Sequence, residues 1–304
     1  MEEEILDHYK FHEMNLYFLD GVQKYSDGGR IFGPVPKAVW AKRYPNDDKN
    51  MITANTDPIL VQYQGKNYLI DASMTPETQP EKLFRNEGAE GQKSYVDESL
   101  AKLDLKPEDI DIILMTHLHN DHMSGLTALK DGEIVSKFPN AKIYAEAREW
   151  YDVRHPNSRT KNTYLDFNWK PVQDQVETFE DHLSLVDGAI EMFHVGGHSR
   201  GQSVVRLHQD GDYMIQMSDL FQTVAQNNPG WVTGVDDYPM DVISSKEKWF
   251  EEGIKHNYKF FHYHDPYYTW IQYNPDGKGY ADFQKRSRKP LIEWTDDLKD
   301  PAAK

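Results

Sequence analysis

Three histidines and an aspartate crowd one short window, Thr116-His117-Leu118-His119-Asn120-Asp121-His122, directly after the apolar run from Ile110 to Met115. That run reads as a short strand buried on both faces, so the window opens at the carboxyl end of a core strand. In an extended segment residues i and i+2 point to one side, so His117 and His119 can bind one metal together. If the chain then turns into a helix, Asp121 and His122 swing to an adjacent position, within reach of a second cation. A single histidine is usually a hydrogen-bonded core residue, whereas three with an aspartate at this spacing form a two-metal signature.

A pair of metals needs further ligands from distant sequence, and three candidates follow strand-like runs. His198 lies in His194-Val195-Gly196-Gly197-His198, where the glycines let the backbone turn sharply. Asp219 lies in Gln216-Met217-Ser218-Asp219-Leu220, and its two oxygens suit a bridge between cations. His264 lies in Phe261-His262-Tyr263-His264-Asp265. Alternation places His262 on the same side as His264, so it competes for that last position.

What surrounds this cluster narrows the chemistry. The chain has no cysteine, which excludes disulfides, thiolate nucleophiles, Fe–S clusters and sulfur-bound metals. It carries 34 Lys plus Arg against 50 Asp plus Glu, a formal charge of −16, which disfavours nucleic acid and anionic membrane as partners. The acidic start and the lack of any apolar run near ~18 residues lead to the expectation of a soluble cytoplasmic protein. Its 304 residues are ample for a core.

No repeat or linker divides the sequence, so a single domain over 1–304 is expected. Residues 58–71 read as a hairpin, 95–105 contain a helix ended by Pro107, and 142–145 and 189–195 read as strands. A second hairpin is expected from 204–207 and 213–217, then a helix over 244–256 and a strand over 259–263. Strands and helices alternate in both halves, which predicts an α/β fold of the αββα sandwich type. The polar and aromatic stretch around 148–180 reads as an irregular, pocket-shaping insertion.

The set THLHNDHMSGL, GGHSRG, SDL and HYHDP, after a run ending in IDAS, resembles the metallo-β-lactamase superfamily over roughly residues 13 to 272. The resemblance implies that one metal takes His117, His119 and His198, the other takes Asp121, His122 and His264, and Asp219 bridges both. Asp71 matches an acidic residue that orients ligands. More narrowly, DGGRIFGPVPKAVWAKRYPNDDKN resembles YtnP-like quorum-quenching lactonases, relatives of N-acyl homoserine lactonases and of methyl parathion hydrolase. Two positions depart from the pattern. Gln222 stands where some acyl homoserine lactonases have a carbonyl-binding Tyr, leaving the Gln222 amide or a tyrosine of the 151–164 loop to serve. Gln202 replaces the second His of GHxxGH, which is not a usual ligand.

The expected chemistry is hydrolysis. Two divalent ions sharing Asp219, Zn²⁺ first and Mn²⁺, Fe²⁺ or Co²⁺ as alternatives, would share a water whose pKa falls from about 15.7 to about 7. The bridging hydroxide would open a lactone, an N-acyl homoserine lactone first, with Asp121 as proton donor. Phe32, Trp40, Tyr151, Tyr164, Trp169, Phe221 and Trp231 are the candidate pocket walls. A glyoxalase-type thioesterase, a phosphotriesterase and a non-catalytic metal-dependent binding protein are the alternatives. A glutathione thioesterase should show a basic cluster near the site, and the strongest in the sequence, Lys285 to Lys289, reads as a solvated tail. The expected partner is a small-molecule lactone or ester, and a homodimer is allowed.

Overall fold

The computed structural model describes residues 6–295 and 298. The acidic start, Met1 to Ile5, and the last residues of the expected 1–304 domain lie outside the described residues.

Two seven-stranded sheets carry the architecture. The first runs in the order Asp7–Phe11, Met14–Phe18, Ile59–Tyr63, Lys66–Ile70, Ile112–Leu114, Lys142–Glu146, Val176–Phe179. Its first four strands are antiparallel and the rest pair in parallel. The second runs His182–Leu185, Ile190–His194, Ser203–Gln209, Asp212–Gln216, Lys259–Phe261, Tyr268–Tyr273, Tyr280–Lys285. All its pairings are antiparallel except that of Asp212–Gln216 with Lys259–Phe261.

Side-chain alternation decides what each face meets. Phe18, Ile59, Val61, Ile70 and Leu114 of the first sheet share one buried cluster with Ile190, Met192, Val205, Leu207, Met214 and Phe261 of the second. The opposite face of the first sheet, with Leu60, Leu69, Ile113 and Ile143, packs on Val96, Leu100 and Val153 from helical segments. The opposite face of the second, with Val204, Ile215, Phe260 and Ile271, packs on Val242, Trp249 and Phe250. Those three belong to the helix Pro239–Lys255, which starts on a proline whose missing N–H costs nothing at that position. The layers are helix, sheet, sheet, helix, the αββα sandwich expected above.

Differences from the sequence reading are local but informative. The helix expected over 244–256 begins earlier, at Pro239. The segment expected to be irregular contains the helices Ala147–Arg154 and Asp166–Trp169 and ends in Val176–Phe179, the edge strand of the first sheet. Trp150 and Trp169 pack partly buried on the core, while Arg159, Thr160, Asn162 and Thr163 of the same stretch line a cavity. A ribbon not anticipated at all pairs Val22–Asp27 with Met51–Thr56. Its Gln23, Lys24, Ser26, Thr53, Asn55 and Thr56 are buried although polar, which hides the strands from a hydrophobicity pattern. Among the described residues no helix is long and apolar enough to cross a membrane.

Candidate metal centre

The proposed ligands sit just beyond the carboxyl ends of sheet strands. Ile112–Leu114 leads into Thr116 to His122, Ile190–His194 into His198, Asp212–Gln216 into Asp219, and Lys259–Phe261 into His264. The turn into a helix expected after His119 is present, as Asn120–Met123. Gly196 and Gly197 adopt φ of 63° and 100°, and a Cβ on Gly197 would meet Val242 at 2.7 Å, so His198 reaches the site only because glycine precedes it.

Three donor sets result, in each of which the donor atoms lie within 4.8 Å of one another: His117, His119 and His198; His117, His122 and Asp219; Asp121, His122 and His264. Nδ1 of His119 is 2.9 Å from Nε2 of His198, and Nε2 of His122 is 3.1 Å from Nε2 of His264. Oδ1 of Asp219 lies 3.1 Å from Nε2 of both His122 and His264, yet forms no hydrogen bond. Nε2 of His117 is likewise buried without a partner. Lone pairs turned on one another, with two buried atoms orphaned, fit a cation and not a self-contained hydrogen-bond network. His262 lies outside these sets, edge-on to Phe221 with neither ring nitrogen hydrogen-bonded. Of the two histidines, His264 is the one that joins a donor set.

Neighbouring groups fix the rings. Asp71 accepts from Nδ1 of His122 at 2.9 Å and from the amide and hydroxyl of Thr116. The carbonyl of Asn55 accepts from Nδ1 of His264 at 2.6 Å. Asp236 takes the same part for His198, at 2.7 Å, and is itself held by Thr233. These partners leave Nε2 free to face a metal. Tyr263 stacks on His122 and donates to the carbonyl of Asp121. Glu149, fully buried, accepts from the amides of Leu118 and Gly201 and the hydroxyls of Tyr164 and Ser199, tying the two histidine loops together.

The electrostatics divide the histidines: against burial, Asp219 and Asp71 raise His122 to about 10, and Asp219 and Asp236 raise His198. Burial, with the neighbouring histidines, holds His117 and His119 well below the usual imidazole range, hence neutral. Burial would raise both carboxyls, but Lys24, His122 and His264 hold Asp121 well below the carboxylate range, and His264, His122 and His198 do the same for Asp219.

The donors open into a cavity of about 370 Å³, and its walls correct the sequence reading. None of the seven proposed aromatics lines it. Phe32, Trp40, Phe221 and Trp231 belong to the core beneath the second sheet, and Tyr164 to the core beneath the first. Trp169 packs on Trp150, and Tyr151 is an exposed residue stacked on His155. Large rings were claimed by the core because that is where their area is buried most fully. Gln222 does line the cavity, and its amide donates to Asp219 at 2.7 Å. Of the carbonyl-binding candidates it is the one at hand, since the Tyr164 hydroxyl is spent on Glu149.

Sequence reasoning missed Lys24, Arg30, Glu87, Arg159, Glu149 and Asp236. None stands in a metal-ligand motif, and their only local signal is the Thr233 to Asp236 spacing of a capping turn. The C-terminal basic cluster, in turn, is not a solvated tail: Arg286 and Arg288 clasp Asp57 at 2.9 and 2.7 Å.

Comparison with known proteins agrees with this geometry. The model of the metallo-beta-lactamase superfamily matches residues 54–213, and the chain belongs to that superfamily. That superfamily binds divalent metals, and the His and Asp sets of this chain have the composition to hold one. The structure of a probable metal-dependent hydrolase from Staphylococcus aureus is 37% identical, with a TM-score of 0.88 over 92% of this chain and 100% of that one. Exodeoxyribonuclease WalJ of Streptococcus pneumoniae is 28% identical over 168 residues, 55% of this chain, so the match spans only 56% of that curated relative. AidC, a dizinc quorum-quenching lactonase solved with the product N-hexanoyl-L-homoserine, is similar in fold alone. Its identity is 16% and its TM-score 0.71, over 94% of this chain and 98% of that one.

Proposed function

We propose that the chain hydrolyses carboxylic esters, lactone rings first, with two divalent cations held by His117, His119, Asp121, His122, His198, Asp219 and His264. The observation that carries this reading is the pair of orphaned donors, His117 Nε2 and Asp219 Oδ1, from residues that share a donor set with His122. When bound, such ions supply Lewis acidity and bring the pKa of water near neutrality. The chain's own residues do the rest. Asp219, whose Oδ1 faces His122 and His264 and whose Oδ2 faces His198, would hold either ion. The Gln222 amide and the Lys24 ammonium sit where an ester carbonyl entering the cavity would need hydrogen-bond donors. Asp121, an ionised carboxylate hydrogen-bonded to Lys24 at 2.8 Å, is placed to take the proton that the attacking water loses and to hand it to the departing alkoxide.

N-acyl homoserine lactones belong in the first panel, as the fold likeness to AidC suggests, but with short acyl chains. The cavity offers only Ile31, Ile52, Ala54 and Val235 as apolar wall. Thioester hydrolysis is the second reading, favoured by the cationic Lys24, Arg30 and Arg159 around the site, the kind of cluster a glutathione thioesterase needs. The test is a panel of γ- and δ-lactones, acyl homoserine lactones, a glutathione thioester, a phosphotriester and a DNA oligonucleotide, assayed with metal-replete protein against a chelated blank. Metal-dependent acid release from the lactones supports the proposal; cleavage confined to another class refutes it.

A further inference from the structure

In a chain of net charge −16, the cavity wall sets three side-chain cations beside four carboxylates, Glu87, Asp121, Asp219 and Asp237. Lys24 and Arg30 come from the N-terminal ribbon and the turn of helix after it, Arg159 from the segment following Ala147–Arg154. Lys24 is almost fully buried and reaches both Asp121, at 2.8 Å, and Glu87, at 3.5 Å. Arg30 reaches the same Glu87 oxygen at 3.0 Å. One carboxylate oxygen therefore answers two cations. Arg159 is held by Asp237 and by the carbonyl of Asp236 at 2.9 Å, beside the turn that orients His198. With Asp121 and Asp219 committed to metal, three side-chain cations face two carboxylates, Glu87 and Asp237, and the metal charge adds to the excess.

Lys24 is buried and paired, whereas Arg30 and Arg159 line the cavity with side chains 36% and 54% exposed, where an incoming anion can reach them. The arginines also keep N–H groups beyond those spent on Glu87, Asp237 and Asp236, in a planar fork that matches a carboxylate or phosphate. We infer that the preferred substrate is an ester or lactone carrying a second, anionic group, which Arg30 and Arg159 bind while the ester lies over the metal donors. This rests on the ester-hydrolase reading and narrows it, placing acidic lactones ahead of neutral N-acyl homoserine lactones. Such a cavity in an otherwise negative molecule also concentrates anionic substrate locally, an effect that salt screens.

The experiment compares two rings of one shape, γ-butyrolactone γ-carboxylate and its carboxamide, with a phosphorylated lactone as a third arm. Acid release is followed at low and high salt for the wild type, Arg30→Met and Arg159→Met. In parallel, calorimetry on metal-loaded protein compares the ring-opened products, a hydroxydicarboxylate and its monoamide. The wild type should favour a charged member by about tenfold or more in kcat/KM, and bind the dicarboxylate tighter by a similar factor, the weight of one charge-assisted contact. High salt and either substitution should shrink that preference. The arm with the larger preference, carboxylate or phosphate, identifies the anion. Equal kcat/KM for charged and neutral rings, or a preference untouched in both variants, overturns the inference while leaving the hydrolase reading intact. If no ring is opened, the hydrolase reading fails alone, and the calorimetric difference still upholds or overturns the anion site.

Discussion

Asp219 and His264 separate ligand from neighbour most sharply at the scale of single residues. Asp219→Ala should abolish turnover and release both metals, because its Oδ1 lies at 3.1 Å from His122 and His264 and its Oδ2 at 3.2 Å from His198. His264→Ala should lose one metal by elemental analysis, whereas His262→Ala should keep both, its ring having no polar partner to lose. Asp236 gives a subtler test. Its contact with Nδ1 of His198 at 2.7 Å sets which nitrogen faces the donors, so Asp236→Ala should weaken metal binding by about 10- to 100-fold in a chelator competition. An unchanged affinity would show that His198 needs no such partner. The metal donors were legible in the sequence because they crowd one window and follow apolar runs. Asp236, Glu149 and Lys24 were not, because each meets the site through a contact nearly forty or more residues away along the chain, as between Asp236 and His198 or Lys24 and Asp121.

Between elements, the loops that present the ligands are fastened to one another and to the helix behind them. Glu149 bonds to the loops of His119 and His198 at once. Glu149→Ala leaves two buried amides and two hydroxyls without their acceptor, which should cost about 3 kcal/mol or more in chemical denaturation. Behind the Asp236 turn, the helix Pro239–Lys255 buries Lys246, whose ammonium donates to the carbonyl of Trp231 at 2.9 Å. Burial depresses its pKa from 10.5 to about 7. Between about pH 7 and 10.5 the unfolded chain holds this proton and the folded chain does not, so stability from this group rises with pH across that window. Below it both states are protonated, and the buried charge costs its full amount. Lys246→Met should therefore gain stability relative to wild type as pH falls from 10 to 6; a pH-independent difference would show that Lys246 does not titrate there.

For the whole molecule, the sheets were readable where strands are buried on both faces, as at Ile112–Leu114, and where a turn separates two apolar runs. The ribbon of Val22–Asp27 and Met51–Thr56 was not, since it buries polar side chains around the site instead of a core. The same cause displaced the expected aromatic pocket: composition names large rings but not which side of a sheet they cover. The fold is then closed by an ionic clasp of Arg286 and Arg288 on Asp57, and metal on the proposed donors would add a further tie between loops that Glu149 and Tyr263 already link. Because metal binds the folded state, chelation should lower Tm by about 5 °C or more when metal was present at a hundredfold excess over its Kd. An unchanged Tm would mean that the donors are held in place without an ion.

The central claim, that two cations on these seven residues carry ester hydrolysis, is tested most directly by titrating chelated protein with Zn²⁺ or Mn²⁺ while acid release from a γ-lactone is recorded. The account predicts no release from the chelated protein and full activity only as the second equivalent binds. Activity that saturates at one equivalent, or persists after chelation, would contradict it.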